Sequence, residues 1–220
     1  YSSETSGSLT KKNVTIVYLT SGTGGLHNKE PNMRNLEALS AVKVLGYNKQ
    51  NLHFITLPFY LTEQREISTS DSEKISSFLH KESPKHLFIC ADKDPKETHH
   101  KCLTIIRDAI LPPSIQFVWF YMSAWDTFNN YSLANCKVYF EKSKFYKKIL
   151  SIALHHSQNP PKIHYGNPIS FMEVVKKKDK SREHFNYFKE QFYVIKVSEI
   201  KSAANHILTM QNNPVPLNND

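Results

Sequence analysis

No run of this 220-residue sequence is long and apolar enough to cross a bilayer as a helix. The most apolar segment, "ILPPSIQFVWFYM", is short and carries two prolines. The opening "YSSETSGSLTKK" has no initiator Met, and with no apolar centre it is not expected to be a signal peptide. The expectation is a fragment, or a processed form, that begins inside a larger protein. Cysteine is sparse: Cys90, Cys102 and Cys136 form no Cys-x-x-Cys pair. That argues against a disulfide framework and for a reducing compartment, so the expected location is intracellular and cytoplasmic. Cys90 lies in an apolar run and reads as a small core residue. There is no zinc-finger spacing, no aromatic RNA-binding signature and no internal repeat. These absences argue against a nucleic-acid partner despite a net charge of +8 and the cluster "KKKDKSR", Lys176 to Arg182. Such a surface suits anionic ligands or acidic partners, or is simply a solvated loop.

What the sequence does contain is a regular alternation of strand and helix signals, in a chain long enough for one sizeable core. "VTIVYL", Val14 to Leu19, is short, β-branched and ended by "TSGTGG". From Pro31 to Leu45, Leu36, Leu39, Val42 and Leu45 fall at helical spacing, and Gly46 follows as a stop. "LHFITLPF" reads as a second strand. A helix capped by Ser70 or Asp71 runs to about Lys81. "KHLFICA" is a third strand, followed by a polar loop and a helix from Thr98 to Leu111. "IQFVWFYM" is a fourth strand and "ANCKVYFE" a fifth. Lys142 to His155 reads as a helix, "QFYVIKV" as a late strand and "SEIKSAANHIL" as the terminal helix. The pattern predicts an α/β fold: a three-layer, Rossmann-like, mainly parallel sheet with helices on both faces. Residues 13–210 form the expected domain, and 1–12 and 211–220 the tails. Ligands of such sheets bind beyond the carboxyl ends of the strands. The loops at Thr20 to Gly25, Leu57 to Tyr60, Asp92 to His99 and Tyr121 to Trp125 are therefore expected on one edge.

The loop "ADKDPKETHHKC", Ala91 to Cys102, carries the metal-site chemistry. A catalytic zinc takes three protein ligands and one water, and a carboxylate removes that water's proton. His99 opens a helix at the sheet rim, where a ligand can sit, and Asp94 is near enough to orient an imidazole. The same residues also read as an ordinary capped helix start.

The order of segments adds to this. "YLTSG", then Arg34 and Glu37 in "RNLEALSAVKVLGY", then "HFITLPFY", "DPKETHHKC", "YMSAWDTF" and "LHHSQ" follow one another. Together, over about Val14 to Leu208, they resemble the LmbE/PIG-L family of zinc-dependent de-N-acetylases. The version they most resemble is the one fused to glucosamine-6-phosphate deaminase-like domains. The resemblance implies that His99 is a metal ligand and Asp94 the acid of the loop. It places Lys96 where the family has a second catalytic histidine. It implies that Ser21, Gly22, Arg34, Trp125 and His155 line a substrate site, although Ser21 and Gly22 also read as a plain turn and Trp125 as a core aromatic. Met122 stands in place of the family's arginine, and His156 in place of a glutamine. Ser157 and Gln158 match the family's last motif.

The family's His-Pro-Asp-Asp, expected after a first strand upstream of "VTIVYL", supplies two metal ligands and the general base. No His-Pro-Asp occurs in these 220 residues. Asp92 and His100 are the nearest stand-ins, and they crowd one loop. The implied zinc site is therefore incomplete in this chain. The first strand is expected to be missing, and a deaminase-like domain could lie upstream. A lysine at 96 can offer positive charge to an oxyanion but shuttles protons poorly at neutral pH. The expected function is a de-N-acetylase-like domain linked to amino-sugar metabolism, catalytically impaired as given. The alternatives are an active enzyme completed by an upstream segment, and a non-catalytic module for an amino sugar or sugar phosphate.

Overall fold

The computed structural model describes residues 14–22, 31–62, 64, 66–91, 97–121, 133–158, 162–164, 167–169, 173 and 187–212. The chain divides into two compact units, each made of two separate segments. The first is Tyr1–Glu66 with Lys137–Glu190, and the second is Ile67–Cys136 with Gln191–Asp220.

In the first unit, β1 (Ile16–Tyr18) pairs parallel with β2 (Leu52–Phe54) in the register Ile16↔Leu52 and Tyr18↔Phe54. Between them runs α1 (Pro31–Val44). It ends in a Schellman motif: Gly46 is at φ 89°, and the Gly46 and Tyr47 N–H groups donate to the Lys43 and Val42 carbonyls at 2.9 and 3.0 Å. Glycine is required there because the left-handed conformation crowds a Cβ. The helix buries Ala38, Ala41 and Val42, while Leu36 is exposed. Ala38 and Val42 cluster with Tyr47 and Leu52, and Val14, Ile16, Tyr18, Leu39 and Leu45 pack around them. Burying a Val or Leu side chain of this kind contributes about 1.5–3 kcal/mol.

The second strand is shorter than its apolar run because Thr56 turns to φ 29° and Pro58 opens a 3₁₀ turn, Pro58–Leu61. Ile55 and Leu57 still donate backbone bonds to Tyr18 and Leu19. Later in the unit come β5 (Cys136–Glu141) and α4 (Lys142–Ala153), which packs on α1. Phe140 and Phe145 meet Phe188, from the start of β8 (Tyr187–Lys196), with Ile149 beside them. The rings of Phe145 and Phe188 lie nearly parallel, their centroids 4.0 Å apart. Lys148 Nζ sits 3.0 Å from Glu190 Oε1 in a buried ion pair joining α4 to β8. A small antiparallel hairpin, β6 (Lys162–His164) with β7 (Asn167–Ile169), was not visible in the sequence pattern.

In the second unit, β3 (His86–Cys90) pairs parallel with β4 (Phe117–Tyr121), and β4 pairs antiparallel with β8. Within this unit the strand order is β3-β4-β8. Alternation sorts the strands into two faces. Ile89, Val118, Phe120 and Ile195 are buried on one face. The other is aromatic, with Phe88, Trp119 and Phe192 in ring contact. The unit's helices are α2 (Thr69–Glu82), α3 (Thr98–Asp108) and α5 (Ile200–Asn212), with α3 packed against both of the others.

The N-cap of α2 is Ser68, two residues earlier than the sequence suggested. Its N–H and its hydroxyl both donate to Asp71 Oδ2, at 2.9 and 3.0 Å, and Asp71 is fully buried. Asp71 is therefore the reaching-back partner of a capping box rather than the cap. The late strand begins at Tyr187, four residues before the apolar run, since Lys189 and Glu190 interrupt the run but not the ladder. The parallel pairs, the covering helices and the antiparallel strand together make this a layered α/β fold of the Rossmann-like kind. No helix among the described residues is long and apolar enough to cross a membrane.

Candidate functional site

The first unit gathers polar side chains from three separate segments. Glu37 lies on α1 beside the buried Ala38, and its side chain is only 8% exposed. Its Oε1 accepts the Ser157 N–H at 2.7 Å, and its Oε2 accepts the Ser157 hydroxyl at 2.5 Å. One carboxylate thus holds the 3₁₀ turn His156–Gln158 that follows α4. Arg34, one helical turn before Glu37, places Nη1 3.7 Å from Glu37 Oε2. Burial pulls the Arg34 pKa down, and the charges of Glu37 and Tyr60 oppose that shift. Tyr60, buried at the end of the 3₁₀ turn after β2, therefore belongs to the same group.

His155 precedes the anchored turn. Burial pushes its pKa below the ordinary value; Glu37 opposes the shift, and Arg34 and His156 reinforce it. Desolvation is the largest of these effects, and the positive charge of Arg34 works against the carboxylate in the same direction as burial. The shift favours the neutral imidazole, in which one nitrogen donates and the other accepts. The group offers a guanidinium, an imidazole and a phenol near a buried carboxylate. That set suits hydrogen bonding to a polar, hydroxyl-rich or anionic ligand.

Arg34 and His155 are the two sequence-nominated residues that the structure brings into one electrostatic group. Ser21 and Gly22 lie in the turn after β1. Gly22 is at φ 69° with open space around the position of a Cβ, so the backbone conformation is what demands glycine there. Sequence reasoning did not nominate Glu37, Tyr60 or Ser157 as site residues. The available signal was the i, i+3 spacing of Arg34 and Glu37, which puts both on one helix face.

His99 lies in the second unit, as the second residue of α3. Its Nδ1 is 3.9 Å from the Sγ of Cys90, the last residue of β3. Cys90 is half-buried, so it is not the plain core filler read from its apolar run; none of the three cysteines is in a disulfide. Asp94, Lys96 and Trp125, and also Asp92 and Met122, lie outside the described residues. Among the described residues, no three His, Cys, Asp or Glu side chains converge as a metal site. The described donors around His99 stop at two, one short of the three that a catalytic zinc takes.

No family model matches this chain, and no curated protein does. Solved structures do. The chain is similar to the N,N'-diacetylchitobiose deacetylase from Pyrococcus horikoshii, a structure complexed with its inhibitor MPG. The TM-score is 0.53 at 16% identity, over 81% of this chain and 71% of that one. It is similar as well to the A40926 pseudoaglycone deacetylase Dbv21, with a TM-score of 0.53 at 15% identity, over 83% of this chain and 85% of that one. At such identities the likeness is one of fold, and the fold is that of these two deacetylases.

Proposed function

We propose that this chain is a de-N-acetylase-like domain of the LmbE/PIG-L type. In this reading its 220 residues bind an N-acetylated amino sugar or its phosphate and release acetate from it poorly or not at all. The observation that carries the reading is the Arg34–Glu37–Tyr60–His155–Ser157 group. Its members come from three of the segments that resemble the family, "RNLEALSAVKVLGY", "HFITLPFY" and "LHHSQ". The likeness of fold to two deacetylases supports it.

In this reading Arg34 and His155 receive the sugar. The guanidinium pairs with a phosphate or ring oxygens, and the neutral imidazole exchanges a hydrogen bond with a hydroxyl. Glu37 positions both through the Ser157 anchor. By the resemblance, Asp94 is the acid of the loop, and Lys96 stands where the family has a histidine that moves the proton. An ammonium with an ordinary pKa near 10.4 stays charged at neutral pH, so it stabilises an oxyanion but does not return the proton efficiently. Link to amino-sugar metabolism, and to an upstream glucosamine-6-phosphate deaminase-like domain, belongs to the same proposal.

The test has two arms. Acetate release from N-acetylglucosamine and its 6-phosphate is followed with zinc added, and binding of the same two sugars is followed by calorimetry. The expected result is binding that Arg34→Met weakens, with acetate release near background. Rapid turnover abolished by His99→Ala would overturn the impaired reading in favour of an active enzyme. Absence of binding to either sugar would remove the amino-sugar assignment.

A further inference from the structure

We infer that the exposed end of the sheet in the second unit is a binding surface for a carboxylated sugar unit, a hexuronic acid, held by His86, Phe117 and Lys196. The inference is independent of the proposed function and uses none of its residues.

The surface follows from strand alternation. In "KHLFICA" and "IQFVWFY" every second residue faces one side of the sheet, which puts His86 and Phe88 on the same face as Phe117 and Trp119. The registers His86↔Phe117 and Phe117↔Lys196 then set three side chains in one row across β3, β4 and β8. All three are exposed, Phe117 at 37%. The next row, Phe88, Trp119 and Val194, is half-buried, and the buried Phe192 meets its two rings at steep angles. The exposed row sits at the start of β3, the end away from Cys90. Its members are held in place. Trp119 Nε1–H donates to His86 Nδ1 at 3.3 Å. Nδ1 is therefore the accepting nitrogen, and Nε2 carries the hydrogen. The His86 ring lies within 10° of parallel to the Phe117 ring, with centroids 5.8 Å apart. Lys196 makes no ion pair among the described residues.

The row offers an apolar ring at its centre, one N–H donor at one end and one ammonium at the other. Neighbouring strands lie about 4.8 Å apart, so the two polar ends stand about 10 Å apart. The row is exposed along its whole length. It does not enclose a small apolar molecule, which needs most of its surface buried. A sugar suits such a surface: its C–H groups cover Phe117, one hydroxyl accepts from His86 Nε2–H, and the others stay in water. A single ammonium matches a single carboxylate. A phosphate monoester carries nearly two charges and favours several donors at once. A nucleic-acid strand needs a track of cations along its backbone. The chemistry that fits is a uronic acid unit, free or within an oligosaccharide. On an open surface its affinity should be weak, with a dissociation constant on the order of 1 mM or above.

The probe is D-glucuronate, titrated into the 220-residue chain and followed by NMR. The signals read are the Trp119 indole N–H, assigned with Trp125→Phe, and the His86 ring. D-Glucose, AMP and benzoate are the comparisons. The expected result is a saturable shift of both signals with D-glucuronate, and binding of D-glucose about 5-fold weaker, the upper range for one exposed ion pair. Lys196→Gln should bring D-glucuronate to the D-glucose level. That side chain is exposed at a strand end, so the variant keeps its fold. Phe117→Ser should abolish saturation with both sugars, and Phe117→Tyr should preserve it. Absence of a saturable shift in the unmodified chain, or equal binding of D-glucuronate and D-glucose, overturns the inference. So does tighter binding of AMP or benzoate than of D-glucuronate. Binding of D-glucuronate that survives Lys196→Gln and is lost in Arg34→Met would overturn it in favour of the polar group of the first unit, leaving the de-N-acetylase-like reading intact.

Discussion

In the first unit, a carboxylate buried on α1 accepts two hydrogen bonds from the turn after α4 and lies beside a guanidinium. In the second, an imidazole on the first turn of α3 meets a thiol across 3.9 Å at the end of a strand. The first arrangement joins distant segments: the carboxylate fixes backbone and tunes charge. The second is a single contact between a half-buried imidazole and a half-buried thiol. The lesson is that helices of one α/β fold can use polar side chains differently, one to anchor a turn far along the chain and one to meet the end of a nearby strand.

The sharpest way to break the comparison is through the buried ion pair of the first unit. Lys148→Met should cost about 3–5 kcal/mol, because Glu190 is then left as an uncompensated buried charge. Lys148→Met combined with Glu190→Leu should recover most of that loss, since Glu190 Oε2 has no hydrogen-bond partner among the described residues and gains little from staying polar. Urea unfolding of the three proteins measures both effects. A double variant as unstable as the single one would show that the pair itself, and not the stranded charge, matters.

Glu37→Ala comes next. It strands the Ser157 N–H and hydroxyl and leaves Arg34 without its buried counter-charge, a loss of about 2–3 kcal/mol. Glu37→Gln should cost less, because an amide still accepts one of the two bonds. It should also lower the His155 pKa further, since the charge that opposes the shift is gone. Imidazole resonances followed by NMR across pH would show this. An unchanged pKa would separate His155 from the Glu37 group.

In the second unit, Asp71→Ala removes the acceptor for the Ser68 N–H and hydroxyl and should cost about 1–2 kcal/mol. It sharpens the comparison if the His155 titration stays where it was while the thermal midpoint falls.

These sites also mark what could be read from residues alone. The strands at Val14, Lys85 and Gln116 were legible because β-branched and aromatic residues run unbroken there, and α1 was legible from its spacing and Gly46. The second strand was over-read because an apolar run does not reveal that Thr56 leaves the β region. Ser68 was passed over because three serines and an aspartate compete for one cap, and only the bond to Asp71 Oδ2 selects among them. Of the candidate site, Arg34 and His155 were legible only through a resemblance. Glu37 was quoted with its motif, yet nothing local says that an acid one position from Ala38 must point inward to a residue 120 positions away. Cys90 looked like core because its apolar neighbours on β3 hide a side chain that faces the next helix.

The smallest expected effect is the pH dependence from His155. Its folded pKa lies below the ordinary 6.5, so below 6.5 the unfolded chain binds more protons than the folded one. Stability from this residue is therefore complete above 6.5 and declines as pH falls toward the folded pKa. His155→Gln should flatten that part of the stability profile, measured by urea midpoints from neutral to mildly acidic pH. A profile that steepens instead would reverse the sign of the shift.

The interleaving of the two units has a consequence for how the molecule comes into being. Neither unit is a continuous stretch: the first needs residues up to Glu190, and the second is not complete until the segment that starts at Gln191. A nascent chain leaving the ribosome therefore carries β1, β2 and α1 for some eighty further residues before β5 and α4 emerge to complete that unit's core. The same holds for β3 and β4, which wait for β8. Contacts this distant in sequence slow folding and lengthen the time that half-built sheets stay exposed. One strand, β8, contributes its first residues to one unit and its last to the other, and α5, made after it, still has to reach α3 before the second unit is complete.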